Sequence, residues 1–254
     1  MPEPQPIASG LPGQSEADAP LAGPRRERAG GAPRWSGDGW LLARPGGAGA
    51  AQARGAVSYG GSQAGAVVRY RLGEGGAGSA YGYLRASLAI GAPGKDREMA
   101  IGFGGRPLPA LPLRVLAEAR FQDAARTSLR VRPVAVVVTE LPPQALPLGI
   151  RAEAYAQAGY AGGSAATAFY DAQIVMDRTI GGSPARARGG LRLGGGIWSG
   201  GQRGAVRLDA GPRASFELDL GGKVASRVSL DWRMRVAGNA RPGSGAALVI
   251  ASSF

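Results

Sequence analysis

Hydrophobic and polar residues alternate along most of this chain, most clearly between residues 224 and 236. Val224, Ser226, Val228, Leu230, Trp232, Met234 and Val236 fall on one side, and Ala225, Arg227, Ser229, Asp231, Arg233 and Arg235 on the other. Successive side chains of a β-strand point to opposite faces, so this segment predicts a strand with one apolar and one charged face. A break rich in Gly, Pro and Asn follows. The closing residues then put Ala246, Leu248, Ile250, Ser252 and Phe254 on one face.

The same period of two recurs upstream. Ala64, Ala66, Val68, Tyr70 and Leu72 alternate with Gln63, Gly65, Val67, Arg69 and Arg71. Leu84, Ala86, Leu88 and Ile90 oppose Tyr81, Tyr83, Arg85 and Ser87, and Met99, Ile101 and Phe103 share a face. Leu113, Val115, Ala117, Ala119 and Phe121 oppose Arg114, Leu116, Glu118, Arg120 and Gln122, and Leu129, Val131, Ala135 and Val137 oppose Arg130 and Arg132. Ile150, Ala152, Ala154, Ala156 and Ala158 oppose Arg151, Glu153, Tyr155 and Gln157; Tyr170, Ile174 and Met176 oppose Phe169, Asp171 and Asp177. Leu191, Leu193 and Ile197 oppose Arg186, Arg188 and Arg192, and Val206, Leu208, Phe216 and Leu218 oppose Arg207, Asp209, Glu217 and Asp219. Gly- and Pro-rich breaks separate these runs, including the connectors at 106–112 and 141–147. Pro133 cannot donate to a ladder and predicts a bulge or local irregularity, and residues 203–220 read as two strands or one bent at Gly211–Pro212. The prediction is an all-β chain of about twelve strands, each of about ten residues, which is long for a soluble sandwich.

The end of the chain resembles the C-terminal strand of bacterial outer-membrane β-barrel proteins. In those proteins a terminal aromatic and alternate apolar residues upstream are read by the barrel-assembly machinery. Leu248, Ile250 and Phe254 fit that pattern; Ser252 departs from it, standing where a second large apolar residue is usual. The resemblance implies an antiparallel transmembrane β-barrel over 35–254, located in the outer membrane, with lipid and the assembly machinery as partners. Residues 1–34 are rich in Pro, Gly, Ala and charge, without periodicity, and read as a disordered leader or linker. Arg25, Arg26 and Arg28 within it read as a solvated cluster. No signal peptide follows Met1, so an exported barrel implies that the start lies within a longer precursor or is misassigned. Trp35 and Trp40 read either as interfacial anchors or as core aromatics.

Composition narrows the chemistry. The 254 residues include 44 Gly and only 19% charged residues, which disfavours long helices. No apolar run approaches the roughly 18 residues of a membrane-spanning helix. Cys and His are both absent, which removes disulfides, Ser–His and Cys–His nucleophile pairs and His-ligated zinc. The net charge of +12 is carried almost wholly by arginine, spread along alternating strands rather than gathered in a tail, so nucleic acid is not the expected partner. Residues 91–98 (GAPGKDRE) lack phosphate-loop spacing, and the GFGG at 102–105 is a strand end. Glu118, Glu153, Asp171, Asp177 and Asp209 read as ion-pair partners of arginine rather than as a hydrolase pair.

If the charged face is the barrel interior, its basic lining comprises Arg69, Arg71, Arg114, Arg120, Arg130, Arg132, Arg151, Arg188, Arg192, Arg207, Arg227, Arg233 and Arg235. Such a lumen favours anionic small solutes or an acidic polysaccharide, unless arginines paired with acids fill it as an electrostatic plug. The expected function is non-enzymatic, with no cofactor and no metal. It is a narrow anion-favouring pore, or the membrane module of a surface-polymer (exopolysaccharide) export or adhesion system. The alternative is a soluble or surface-associated β-sheet protein that binds a polyanion.

Overall fold

The computed structural model describes residues 34–45, 61–73, 80–90, 97–123, 130–163, 166–180, 190–219 and 224–254. Apart from residue 34, the expected leader lies outside them, as do Arg188 and the side chain of Arg130. The alternating segments form strands β1 (Trp35–Ala43), β2 (Gln63–Arg71), β3 (Tyr81–Ala89), β4 (Arg97–Gly105), β5 (Leu113–Asp123) and β6 (Arg130–Thr139). They continue as β7 (Gln144–Leu146), β8 (Ile150–Ala161), β9 (Thr167–Thr179), β10 (Leu191–Gln202), β11 (Ala205–Asp219), β12 (Ala225–Gly238) and β13 (Gly245–Ser253). A single 3-10 turn spans Pro147–Gly149. Among the described residues no helix is long and apolar enough to cross a membrane.

Every strand pairs antiparallel with its neighbours. The order runs from β6 back to β1, then from β13 back to β8, and pairing of β6 with β8 closes the ring. β7 is a three-residue strand laid on the start of β8, so the remaining twelve strands form the closed antiparallel barrel that the alternation predicts. Closure gives each of the twelve barrel strands a partner on both sides, while β7 pairs on one side alone. β1 starts and β13 finishes at the same end, called here the terminal end. Phe254 lies there on the outer surface. Its backbone exchanges hydrogen bonds with Gly37 (3.0 and 3.2 Å), and a Cβ on Gly37 would fall 2.5 Å from its ring.

The two faces separate as a strand's geometry requires. Leu84, Met99, Ile101, Phe103, Ile174, Ile197, Leu230, Trp232 and Val236 point outward, and all are exposed. Leu248 and Ile250 share that side with them, and Ser252 satisfies its hydroxyl against Ser226 across the β12–β13 ladder at 2.8 Å. Most charged strand residues point inward, together with Tyr81, Tyr83, Tyr155, Phe169 and Trp198. Trp35 and Trp40 differ by an odd number of residues and so part company. Trp35 is exposed beside Tyr70 (ring centroids 4.8 Å apart), whereas Trp40 is buried inside, its ring lying over Gly65.

Two local expectations need correction, and the open choice at Gly211–Pro212 falls to the single strand. β6 runs straight through Pro133 without a register shift. Its carbonyl accepts from Gly162 on the β8 side, so its missing donor points past Ala161, the last residue of β8 in that ladder. Residues 205–219 form one strand of 15 residues, not two; its ladder with β12 shifts register between Leu208 and Asp209 and is broken at Gly211–Pro212. The connector at 141–147 is not all turn, because β7 takes up pairing with β8 where β6 leaves it.

Candidate functional site in the barrel interior

Inward-facing residues from non-adjacent strands meet across the lumen. From β3, β4 and β5, Arg85 donates to Glu98 (2.8 Å) and Glu118 (3.2 Å), Arg120 donates to Glu118, and the Tyr83 hydroxyl donates to Glu118 at 2.6 Å. The Arg120 guanidinium also lies 5.0 Å from the ring of Phe169 on β9. From β8, β11 and β12, Arg227 donates to Glu153 (2.7 Å) and Glu217 (3.0 Å), and Arg151 donates to Glu217 (3.1 Å) and to Glu153. Three strands separate β8 from β12, so this four-residue bridge reaches over the interior rather than along one ladder.

A third group lies toward the opposite end of the barrel. Asp209 accepts from Arg207 and from Arg44, the latter at 3.3 Å. Asp231 accepts from Arg233 at 2.9 Å and stands 3.5 Å from Arg213, while Arg233 covers the Trp198 ring at 4.6 Å. Burial pushes the Arg44 guanidinium below its ordinary value; Arg207 adds to this and Asp209 opposes it. An arginine stays charged even so. Buried charges persist only when paired, and each carboxylate here faces at least one guanidinium. Glu98, Arg120, Asp209 and Asp231 are each 1% exposed and Arg233 2%, so no water-wide passage runs past them.

A cavity of about 240 Å³ lies in the interior toward the terminal end. Tyr81, Tyr83, Tyr155 and Gln157 line it together with three arginines (Arg69, Arg85 and Arg114) and three acids (Asp38, Glu118 and Glu140). Arg69 pairs with Asp38, and Arg114 pairs with Glu140 at 2.7 Å while lying 4.8 Å over the Tyr81 ring.

The basic residues picked out in sequence divide by partner. Arg69, Arg114, Arg120, Arg151, Arg207, Arg227 and Arg233 face carboxylates, as described. Arg192 joins them, meeting Asp177 at 2.6 Å and Thr179 at 2.8 Å. Arg132 donates instead to the carbonyls of Ala161 (3.2 Å) and Gly162 (3.0 Å), and the exposed Arg235 donates to the carbonyl of Ala240 at 3.1 Å. Arg71 is half-buried at the end of β2. Arg44, Arg85 and Arg213 were not among the predicted lining residues. Arg85 carried the same alternation signal as its neighbours, whereas Arg213 follows the proline that blurred the strand and Arg44 lies in a turn sequence. Among the described residues no three potential ligands converge as a metal ion requires.

No protein-family model matches the chain, and no curated protein matches its sequence. Solved structures with similar folds include a bacterial polysaccharide outer membrane secretin, at 9% identity and TM-score 0.45, covering 87% of this chain and 97% of that one. An outer membrane channel from Pseudomonas putida aligns at 13% identity and TM-score 0.44 over 86% of this chain and 94% of its own. The beta domain of a Bordetella autotransporter aligns at 10% identity and TM-score 0.41 over 87% and 97%. Similarity at this level carries no argument about function.

Proposed function

We propose that the chain is an outer-membrane β-barrel that acts, without catalysis, as the membrane module of a surface-polymer export or adhesion system and is closed to ions at rest. The observation that carries this reading is the division of faces. A continuous apolar outer surface of Leu, Ile, Val, Met, Phe and Trp surrounds an interior of paired Arg, Asp and Glu. Monomeric soluble proteins rarely expose apolar surface on this scale, and a membrane barrel requires it. The closed state is supported by the near-complete burial of the interior charges Glu98, Arg120, Asp209, Asp231 and Arg233. A second reading, a narrow anion-favouring pore, draws on the excess of arginine over acid in the interior.

The test is heat modifiability followed by conductance. The chain is refolded into detergent micelles, and boiled and unboiled samples are compared on a denaturing gel. A faster unboiled band and near-silent planar bilayers are expected. Steady anion-selective currents favour the pore reading. An unshifted band from a chain that stays soluble without detergent overturns both, and polyanion binding by a soluble sheet then takes their place.

A further inference from the structure

The end of the barrel away from the termini holds more positive charge than its carboxylates take up. Arg44 and Arg207 share Asp209, and Arg213 and Arg233 share Asp231, so two buried acids serve four guanidiniums. Nearer the rim stand Arg203, Arg235 and Arg241, all exposed, and none pairs with a carboxylate among the described residues. Two braced connections hold these three together. Asn239 accepts from the Val206 N–H and donates to the Gly204 carbonyl, both at 3.0 Å, and the N–H groups of Asn239 and Ala240 donate to the Val206 carbonyl at 2.9 and 3.1 Å. Arg203 precedes Gly204, Arg241 follows Ala240, and Arg235 donates to the Ala240 carbonyl. Arg207 and Arg44 hold the Gly243 carbonyl from the interior and fix the second connection to the wall. Round the ring from β8 to β2, the four connections at this end (44–62, 162–166, 203–204 and 239–244) contain no acidic residue. Exposed guanidiniums with no acid beside them set up a positive field that draws anions, and their planar fork matches a carboxylate.

We propose that this rim binds an acidic polysaccharide, with Arg203, Arg235 and Arg241 donating charge-assisted hydrogen bonds to its carboxylates. A single small anion gains little from an exposed guanidinium screened by salt, whereas a polymer engages several at once. The proposal deepens the surface-polymer reading and rests on it. Acid-paired arginines fill the interior, so the polymer is held at the rim instead of threaded, and the barrel serves as its tether. The acidic partner expected along the whole lumen is thereby assigned to three rim residues.

The test is titration calorimetry on the full chain, refolded in a zwitterionic detergent, with polygalacturonate, its monomer galacturonate and the neutral polymer dextran. Saturable binding of polygalacturonate is expected, at least tenfold tighter per uronate than galacturonate, with none for dextran. Raising salt from about 50 to about 500 mM should weaken it at least tenfold. Arg203→Gln combined with Arg241→Gln should weaken it tenfold or more. Arg97→Gln, exposed at the same end on the opposite wall, should leave it within twofold. Arg203→Gln alone, with an expected threefold loss, serves should the pair fail to fold. No saturable binding, binding unchanged in a folded rim variant, or an equal loss in Arg97→Gln overturns the proposal. Displacement of polygalacturonate by phosphatidylglycerol at equal charge assigns the rim to lipid headgroups and overturns it as well. The heat-modifiable band is scored on the same samples, so a folded barrel that binds no acidic polymer defeats this inference alone, whereas loss of the band defeats the membrane reading.

Discussion

Glu118→Gln is the sharpest probe of the interior, because Glu118 accepts from three groups at once. Arg85, Arg120 and Tyr83 all donate to it, and its side chain is 1% exposed. Removing one partner of a buried ion pair typically costs about 3–5 kcal/mol, mainly through the charge left behind. Two features pull the cost toward the lower end. Arg85 keeps Glu98 at 2.8 Å, and the amide oxygen of a glutamine still accepts one of the three hydrogen bonds. Arg120 suffers most, since its remaining carboxylate, Glu98, stands 3.8 Å away. The expected loss is therefore about 3 kcal/mol. It is read from urea unfolding of the refolded barrel in lipid vesicles, followed by tryptophan fluorescence. Arg120→Met in the same background removes the stranded charge and should recover about 1–3 kcal/mol, giving a strongly non-additive cycle. A Glu118→Gln barrel within about 0.5 kcal/mol of wild type, as is usual for surface substitutions, refutes the claim that this cluster is dry and packed.

Four further perturbations test other parts of the structure. Leu230→Arg on the outer face should cost about 2–4 kcal/mol in a bilayer if that face meets lipid, whereas a solvated sheet face tolerates it within about 0.5 kcal/mol; vesicle unfolding titrations separate the two. Gly37→Val places its Cβ 2.5 Å from the Phe254 ring. It should cost about 1–3 kcal/mol, with Phe254→Ala in the same chain relieving part of the loss as measured by recovery of the heat-modifiable band. Arg151→Ala combined with Arg227→Ala breaks the bridge from β8 to β11 and β12 and leaves Glu153 and Glu217 facing the lumen. Single-channel recording should show openings absent from wild type and biased toward cations. Pro133→Ala should be silent, within about 0.5 kcal/mol in the same unfolding assay, because the donor it restores points beyond the last pair of the β6–β8 ladder.

The barrel was legible in the sequence because a period of two survives wherever one face is apolar and the other charged. Met99, Ile101 and Phe103, or the run from Val228 to Val236, admit no other register. Legibility failed where local chemistry and ladder geometry diverge. Pro133 looked disruptive because a sequence records that a donor is missing but not which neighbour would have needed it. β7 was hidden because its residues sit between prolines and draw their strand character from β8. The candidate site was legible only in its parts. Alternation assigned each of Tyr81, Tyr83, Glu118, Tyr155 and Gln157 to a polar face, but their convergence depends on the closure of β6 onto β8. No local pattern encodes that closure.

The net positive charge of the chain also changes meaning once it is placed. Several arginines at the end of the barrel away from the termini also serve backbone carbonyls. Arg132 caps Ala161 and Gly162 at the β8–β9 connection. Arg207 and Arg44 both reach the carbonyl of Gly243 (3.1 and 3.3 Å), and Arg235 reaches that of Ala240, all in the β12–β13 connection. Carbonyl dipoles there offset part of the positive field, and the guanidiniums tie connections to strands as the final turn of a barrel wall requires. The cavity at the opposite end is charge-balanced side chain by side chain. The basic composition thus resolves into two unlike regions: a carbonyl-tethered end that holds the connections, and a tyrosine-lined end whose guanidiniums face carboxylates.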